Sequence, residues 1–181
     1  MYKKIIEKLH EVGVLCSKGL DETEIKEIEN CYQIHFPEEL KKFYNEVLPI
    51  SDGFYNWRDF SEKNIEKIKE KILYPSKEII ENIEMIDWQK KWGPLPKNGT
   101  EKYDYILKKI SASQPLIPLY GHRYLANQFS YNNPVFSIYG SDIIYYGENL
   151  TQYFMIEFKY EKHSTIDYNR IKKVDFWSDI L

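Results

Sequence analysis

Apolar positions in this chain recur at helical spacing over its first half and in short, turn-punctuated runs over much of its second half. Tyr2, Ile5, Ile6 and Leu9 lie on one side of an opening amphipathic helix, with Gly13 as its terminator. The stretch from Leu20 to Gly53 is the best-signalled part. Asp21 is a good N-cap and Glu24 completes a capping box, while Leu20 and Ile25 fall at staple positions. Ile25, Ile28 and Tyr32 continue that face. Pro37 then begins a second helix, whose Leu40, Phe43, Tyr44, Val47 and Leu48 recur at helical spacing before Pro49 stops it.

The aromatic segment Phe54 to Phe60, following the Asp52–Gly53 turn, reads as a strand of a first hairpin. Ser61 caps a helix buried along Ile65, Ile68 and Ile72. Its Glu62, Glu66, Glu70 and Lys63, Lys67, Lys71 form two stripes whose cross pairs at i+3 describe a solvated face. Pro75-Ser76 ends that helix and caps the next, which carries Ile79, Ile80, Ile83 and Ile86. Residues 93–99, with two prolines and two glycines, form a long insertion loop before a helix capped by Thr100.

From Gln114 onward the reading is mainly strands: Leu116 to Tyr120, Arg123 to Leu125, Pro134 to Tyr139 and Asp142 to Tyr146, separated by Gly121, Asn132-Asn133 and Gly140. A helix capped near Asn149 follows, and Ile171, Val174 and Trp177 near the end face the core. The expectation is one α+β domain over residues 1–181, with helices packed on a twisted antiparallel sheet.

Charge changes this picture locally rather than globally. The net charge of −3 is too near balance for a general nucleic-acid binder. Its acids are concentrated between Leu20 and Phe60, which suits a basic partner. Cys16 and Cys31 lie in or beside helical segments and read as reduced thiols rather than a disulfide framework. The N-terminus lacks the h-region and cleavage site of a signal peptide, and no apolar run approaches the roughly 20 residues needed to span a bilayer. A cytoplasmic location without membrane partners is expected.

Catalytic signatures are absent from the sequence: no G-x-S-x-G, P-loop, G-x-G-x-x-G or H-E-x-x-H occurs, so no enzyme and no cofactor is expected. His10, Cys16, Cys31 and His35 lack the tight paired spacings of structural zinc sites. Gly121-His122-Arg123-Tyr124 is the sharpest polar cluster, yet nothing beside it supplies a nucleophile or second acid for the histidine to serve. Structural fixing of a turn, or contact with a partner, is the simpler role, with small-anion binding by the Arg123 fork as the remaining alternative. Sixteen tyrosines and four tryptophans supply the core and leave rings over for an interface.

The capped helix with Glu-Ile-x-x-Ile-Glu, the Phe-Pro-Glu-Glu-Leu step at 36–40 and the Asp-Gly turn resemble the opening of the SUKH superfamily. Further on, Pro-Leu-Ile-Pro-Leu-Tyr-Gly-His-Arg-Tyr at 115–124, Pro-Val-Phe-Ser-Ile-Tyr at 134–139, Asp-Ile-Ile-Tyr-Tyr-Gly-Glu-Asn-Leu at 142–150 and the terminal Asp-Phe-Trp-Ser-Asp-Ile-Leu resemble its Gram-positive members in order. That superfamily unites a fungal cell-wall-synthesis regulator with bacterial toxin-immunity proteins. The resemblance implies an α+β binding module that masks a cognate toxin or, as the alternative, a cytosolic regulatory adaptor for an endogenous protein. Asp52, Tyr55, Trp57, His122, Arg123 and Tyr131 are the residues expected at the contact surface.

Overall fold

The computed structural model describes residues 2–181, an α+β arrangement of six helices and two antiparallel sheets among those residues. Helix α1 (Lys3–Glu11) buries Ile5 and Leu9, and the Tyr2 hydroxyl beside it donates to the Glu39 carbonyl at 2.9 Å. Helix α2 (Glu22–Tyr32) starts with the expected capping box. The Asp21 carboxylate accepts from the N–H groups of Thr23 and Glu24, both at 2.9 Å, and the Glu24 carboxylate accepts from the Asp21 N–H.

Helix α3 (Glu38–Glu46) ends earlier than the apolar spacing predicts. Val47 and Leu48 belong instead to strand β2 (Val47–Pro49), paired with β1 (Cys16–Lys18) so that Ser17 lies opposite Leu48. Two carbonyls explain the stop. The Leu20 N–H takes the Tyr44 carbonyl at 2.8 Å, which a longer helix would need for Leu48, and the Asn45 carbonyl would have to be served by Pro49, which has no N–H. Gly19 makes that crossing possible, since a Cβ there would sit 1.9 Å from the Asn45 carbonyl oxygen.

Phe54 to Phe60 is likewise not a strand. Only Phe54 bridges to the sheet, opposite Tyr120, and the chain then turns. Trp57 is drawn inward against Tyr32 and Phe36, donating its indole N–H to the Tyr44 hydroxyl at 3.0 Å. Arg58 pins the turn from outside. Its guanidinium donates to both Glu24 carboxylate oxygens, to the Ser17 hydroxyl and to the carbonyls of Lys18 and Gly19.

Helix α4 (Glu62–Glu81) runs unbroken through Pro75, correcting the expected break. Pro75 removes one backbone donor, the one that would serve Lys71, and isoleucines anchor the helix on both sides of that gap. Ser61 occupies the N-cap position without making a side-chain cap bond. Short 3₁₀ turns at Ile83–Met85 and Lys90–Trp92 lead to the 93–99 loop. Helix α5 (Gly99–Ala112) is capped by Asn98, one residue before the helix rather than by Thr100, through the Glu101 N–H at 3.0 Å.

Strands β3 (Ile117–Tyr120), β4 (Arg123–Leu125), β5 (Val135–Tyr139) and β6 (Asp142–Gly147) form a meander in chain order, close to the expected positions. Helix α6 (Leu150–Glu157) follows, capped as expected by Asn149. Alternation along the strands divides the core. Ile117, Leu119, Leu125 and Val135 join a cluster with α1, α2, α3 and α6; Tyr124, Phe136, Ile138, Ile143 and Tyr145 join another with α5 and the C-terminal Ile171, Val174 and Trp177. Helix α4 serves both, with Ile68 in the first cluster and Ile79 in the second. Among the described residues, no helix is long and apolar enough to cross a membrane.

Candidate functional site

The Asp52–Gly53 turn and the β3–β4 turn, some 70 residues apart in the chain, are locked together. Gly53 has φ +93, and a Cβ there would fall 2.4 Å from the Tyr120 ring, so the close approach requires glycine. The Gly121 N–H donates to the Gly53 carbonyl at 2.8 Å, and the Tyr55 hydroxyl donates to the Gly121 carbonyl at 2.6 Å. The Phe54 ring lies edge-on to Tyr120, with centroids 4.8 Å apart. These contacts make a fixed joint, not two independent loops.

Beside this joint, where α4 passes the β3–β4 turn, lies a cleft of about 320 Å³. Tyr55, Tyr124 and Gly53 line one part of it, and Lys67, Lys71 and Tyr74 enter from α4. His122 and Tyr139 complete it from the hairpin ends, their rings 5.9 Å apart. No carboxylate is among the lining residues. Partial burial, followed by the charge of Arg123, lowers the His122 pKa, which favours the neutral ring at pH 7. Burial pushes Tyr55 up to about 12 and raises Tyr74 and Tyr124 as well, so all three phenols keep their protons. The positive charge of the cleft therefore comes from Lys67 and Lys71, and its phenols are hydrogen-bond donors. Such a lining attracts anions and aromatic groups.

Of the six residues expected at a contact surface, three meet here. His122 lines the cleft and is exposed, and Asp52 is exposed in the turn next to it. Tyr55 reaches the lining as a buried core residue whose hydroxyl is spent on Gly121, which corrects it from contact residue to a residue that holds the joint. Trp57 has no exposed surface and belongs to the helical core, so it is corrected from contact residue to packing residue. Arg123 is also structural. It alternates with Tyr124 along β4 and points to the opposite face, where its side chain donates to Glu157 at 2.9 Å and Ser137 at 2.6 Å over the Tyr146 ring. This consumes the guanidinium as an anion fork. Tyr131 lies elsewhere, half-buried under the Lys42 ammonium at 5.0 Å.

The acidic stretch is less acidic as a surface than as a sequence. Glu24 is held by Arg58, Glu29 by Lys41 at 3.0 Å, and Glu39 is buried, accepting from the N–H groups of Asn132 and Asn133 and from the Asn133 amide. The groove between α2 and α3 consequently mixes Glu22, Glu29 and Glu38 with Lys26, Lys41 and Lys42. The zinc candidates are not gathered either: among the described residues, no group of three His, Cys, Asp or Glu side chains could hold a metal, and both cysteines are free thiols.

Sequence reasoning missed Lys67, Lys71, Tyr74, Tyr124 and Tyr139. A signal for the first three exists, because 67, 71 and 74 follow i, i+4, i+7 and so share one helix face that changes from basic to aromatic. Nor do these lysines join the expected Glu–Lys ladder. Among the described residues, the one ion pair within α4 is Lys77–Glu81 at 3.7 Å. No protein-family model, curated protein or solved structure matches the chain.

Proposed function

We propose that the protein is a cytosolic binding module that masks a cognate bacterial toxin, acting as an immunity protein. The observation that carries this reading is the joint between the Asp52–Gly53 and Gly121–His122 turns. It gathers candidate contact residues from distant parts of the chain onto one fixed face, with the exposed Tyr139 beside them. A pre-organised face binds without the entropic cost of ordering loops. The ordered resemblance to SUKH immunity proteins supplies the partner class, and stoichiometric occlusion is the corresponding mechanism. An endogenous protein partner, as for the fungal relatives, is the second reading.

Co-expression with a toxin encoded beside this gene tests the proposal. Rescue of growth and co-purification are expected, and a Tyr139→Asp change is expected to weaken the complex by about 2 kcal/mol, the scale of an aromatic hot spot. A neighbouring toxin that neither co-purifies nor is neutralised would overturn the immunity reading. An isolated gene and capture of one endogenous protein would favour the adaptor.

A further inference from the structure

The cleft beside the turn joint has the composition of a small-molecule site in its own right. Lys67 and Lys71 stand one turn apart on α4, and among the described residues neither is paired with a carboxylate. Glu78, one helical turn beyond Tyr74, lies outside the lining, although its carboxylate acts on the Tyr74 and Tyr124 phenols.

The floor adds an independent observation. Tyr124 has no exposed surface, yet its hydroxyl has no hydrogen-bond partner among the described residues. A buried donor left unmade is a cost that a ligand oxygen removes. Tyr32, Tyr153 and Trp177 also carry unpartnered polar atoms, but Tyr124 is the one that borders the cavity holding two lysines. The phenols of Tyr55 and Tyr74, and then the Glu78 carboxylate, act on it electrostatically. Tyr55 already donates to Gly121, which leaves Tyr124 as the uncommitted donor.

We propose that this cleft binds a small ligand carrying an oxyanion, phosphate or carboxylate, on an aromatic ring. Lys67 and Lys71 neutralise the oxyanion, and the Tyr124 hydroxyl donates to one of its oxygens. Tyr74 and Tyr139 face the ring, with His122 as a neutral edge against Tyr139. The volume of about 320 Å³ lies at the lower end of the range for small-molecule sites, which fits one ring and its anionic group.

The full chain, with no partner present, is titrated separately with phenyl phosphate, benzoate, inorganic phosphate and phenol, following ligand-induced NMR shifts. Saturable binding is expected for phenyl phosphate or benzoate, about tenfold tighter than for inorganic phosphate or phenol. The tighter of the two ring anions identifies the oxyanion. Lys67→Gln with Lys71→Gln is expected to weaken binding at least about tenfold, and Tyr124→Phe by about threefold to tenfold, with the melting temperature of the free protein not lowered because an unpartnered buried hydroxyl is removed. Binding of phosphate alone or phenol alone as tightly as the ring anion would overturn the proposal, as would absent saturation or an indifferent lysine double variant. Because no toxin enters the measurement, its outcome is separate from that of the immunity reading.

Discussion

The helix pair of α2 and α3 and the cleft beside α4 present opposite relations between local sequence and surface chemistry. In the helix pair the sequence advertises acidity, but much of it is spent internally: Glu24 on Arg58, Glu29 on Lys41, and Glu39 on the Asn132–Asn133 turn. On α4 the sequence shows what looks like an ordinary charged helix face, and the fold turns two of its lysines toward an aromatic cleft. Charge counts along a chain thus locate where charges are made, while tertiary pairing decides which remain available to a ligand.

The largest expected effect breaks the part of this comparison that concerns Trp57. Trp57→Ala removes a fully buried indole and its bond to Tyr44, and is expected to cost about 3–5 kcal/mol of stability, read from the urea midpoint. A contact residue would instead lower affinity and leave the midpoint unchanged.

An intermediate effect sharpens the claim that the acids of α2 are structural. Hydrogen bonding from Arg58, then from the Asp21 N–H, lowers the Glu24 pKa from 4.5 to about 2. Since the folded value lies below the unfolded one, Glu24 contributes stability that is present above about pH 4.5 and is lost as the pH falls toward 2. Glu24→Gln is expected to flatten that limb of the pH–stability curve and to cost about 1 kcal/mol at neutral pH, the modest scale being set by the pair's partial exposure. Glu39 acts in the opposite sense. Burial raises its pKa, so its contribution declines as the pH rises through its titration.

The smallest effect concerns the cleft. Lys67→Gln with Lys71→Gln is expected to change the melting free energy by no more than about 0.5 kcal/mol, because neither lysine is held in an ion pair. A substantial loss by thermal denaturation would show that these lysines support the fold instead of awaiting a ligand.

Local signals worked where local energetics decide. The Asp21–Glu24 box, the Asn149 cap and the four strands of the main sheet were legible because capping, turn chemistry and short apolar runs act over a few residues. They failed at Val47–Leu48, where the Leu20 N–H and Pro49 ended a helix that periodicity alone would prolong. They failed again at Pro75, where burial of isoleucines on both sides outweighed one lost backbone bond. At Phe54–Phe60 the aromatic composition did suit burial, but in a helical core reached through a turn.

The candidate site was partly legible for the same reason. Asp52 and His122 could be singled out as chemistry near turns, whereas Tyr55, Trp57 and Arg123 looked equally eligible until the joint, the core and Glu157 claimed them. By itself the sequence determined the α+β class, the four strands of the main sheet and the Asp21 and Asn149 caps, since each rests on interactions within a turn or two of chain. Only the tertiary structure decided which polar and aromatic side chains remain free. That depends on partners brought together from far along the chain, such as Gly53 with Gly121 and Arg58 with Glu24, and no local pattern encodes that pairing.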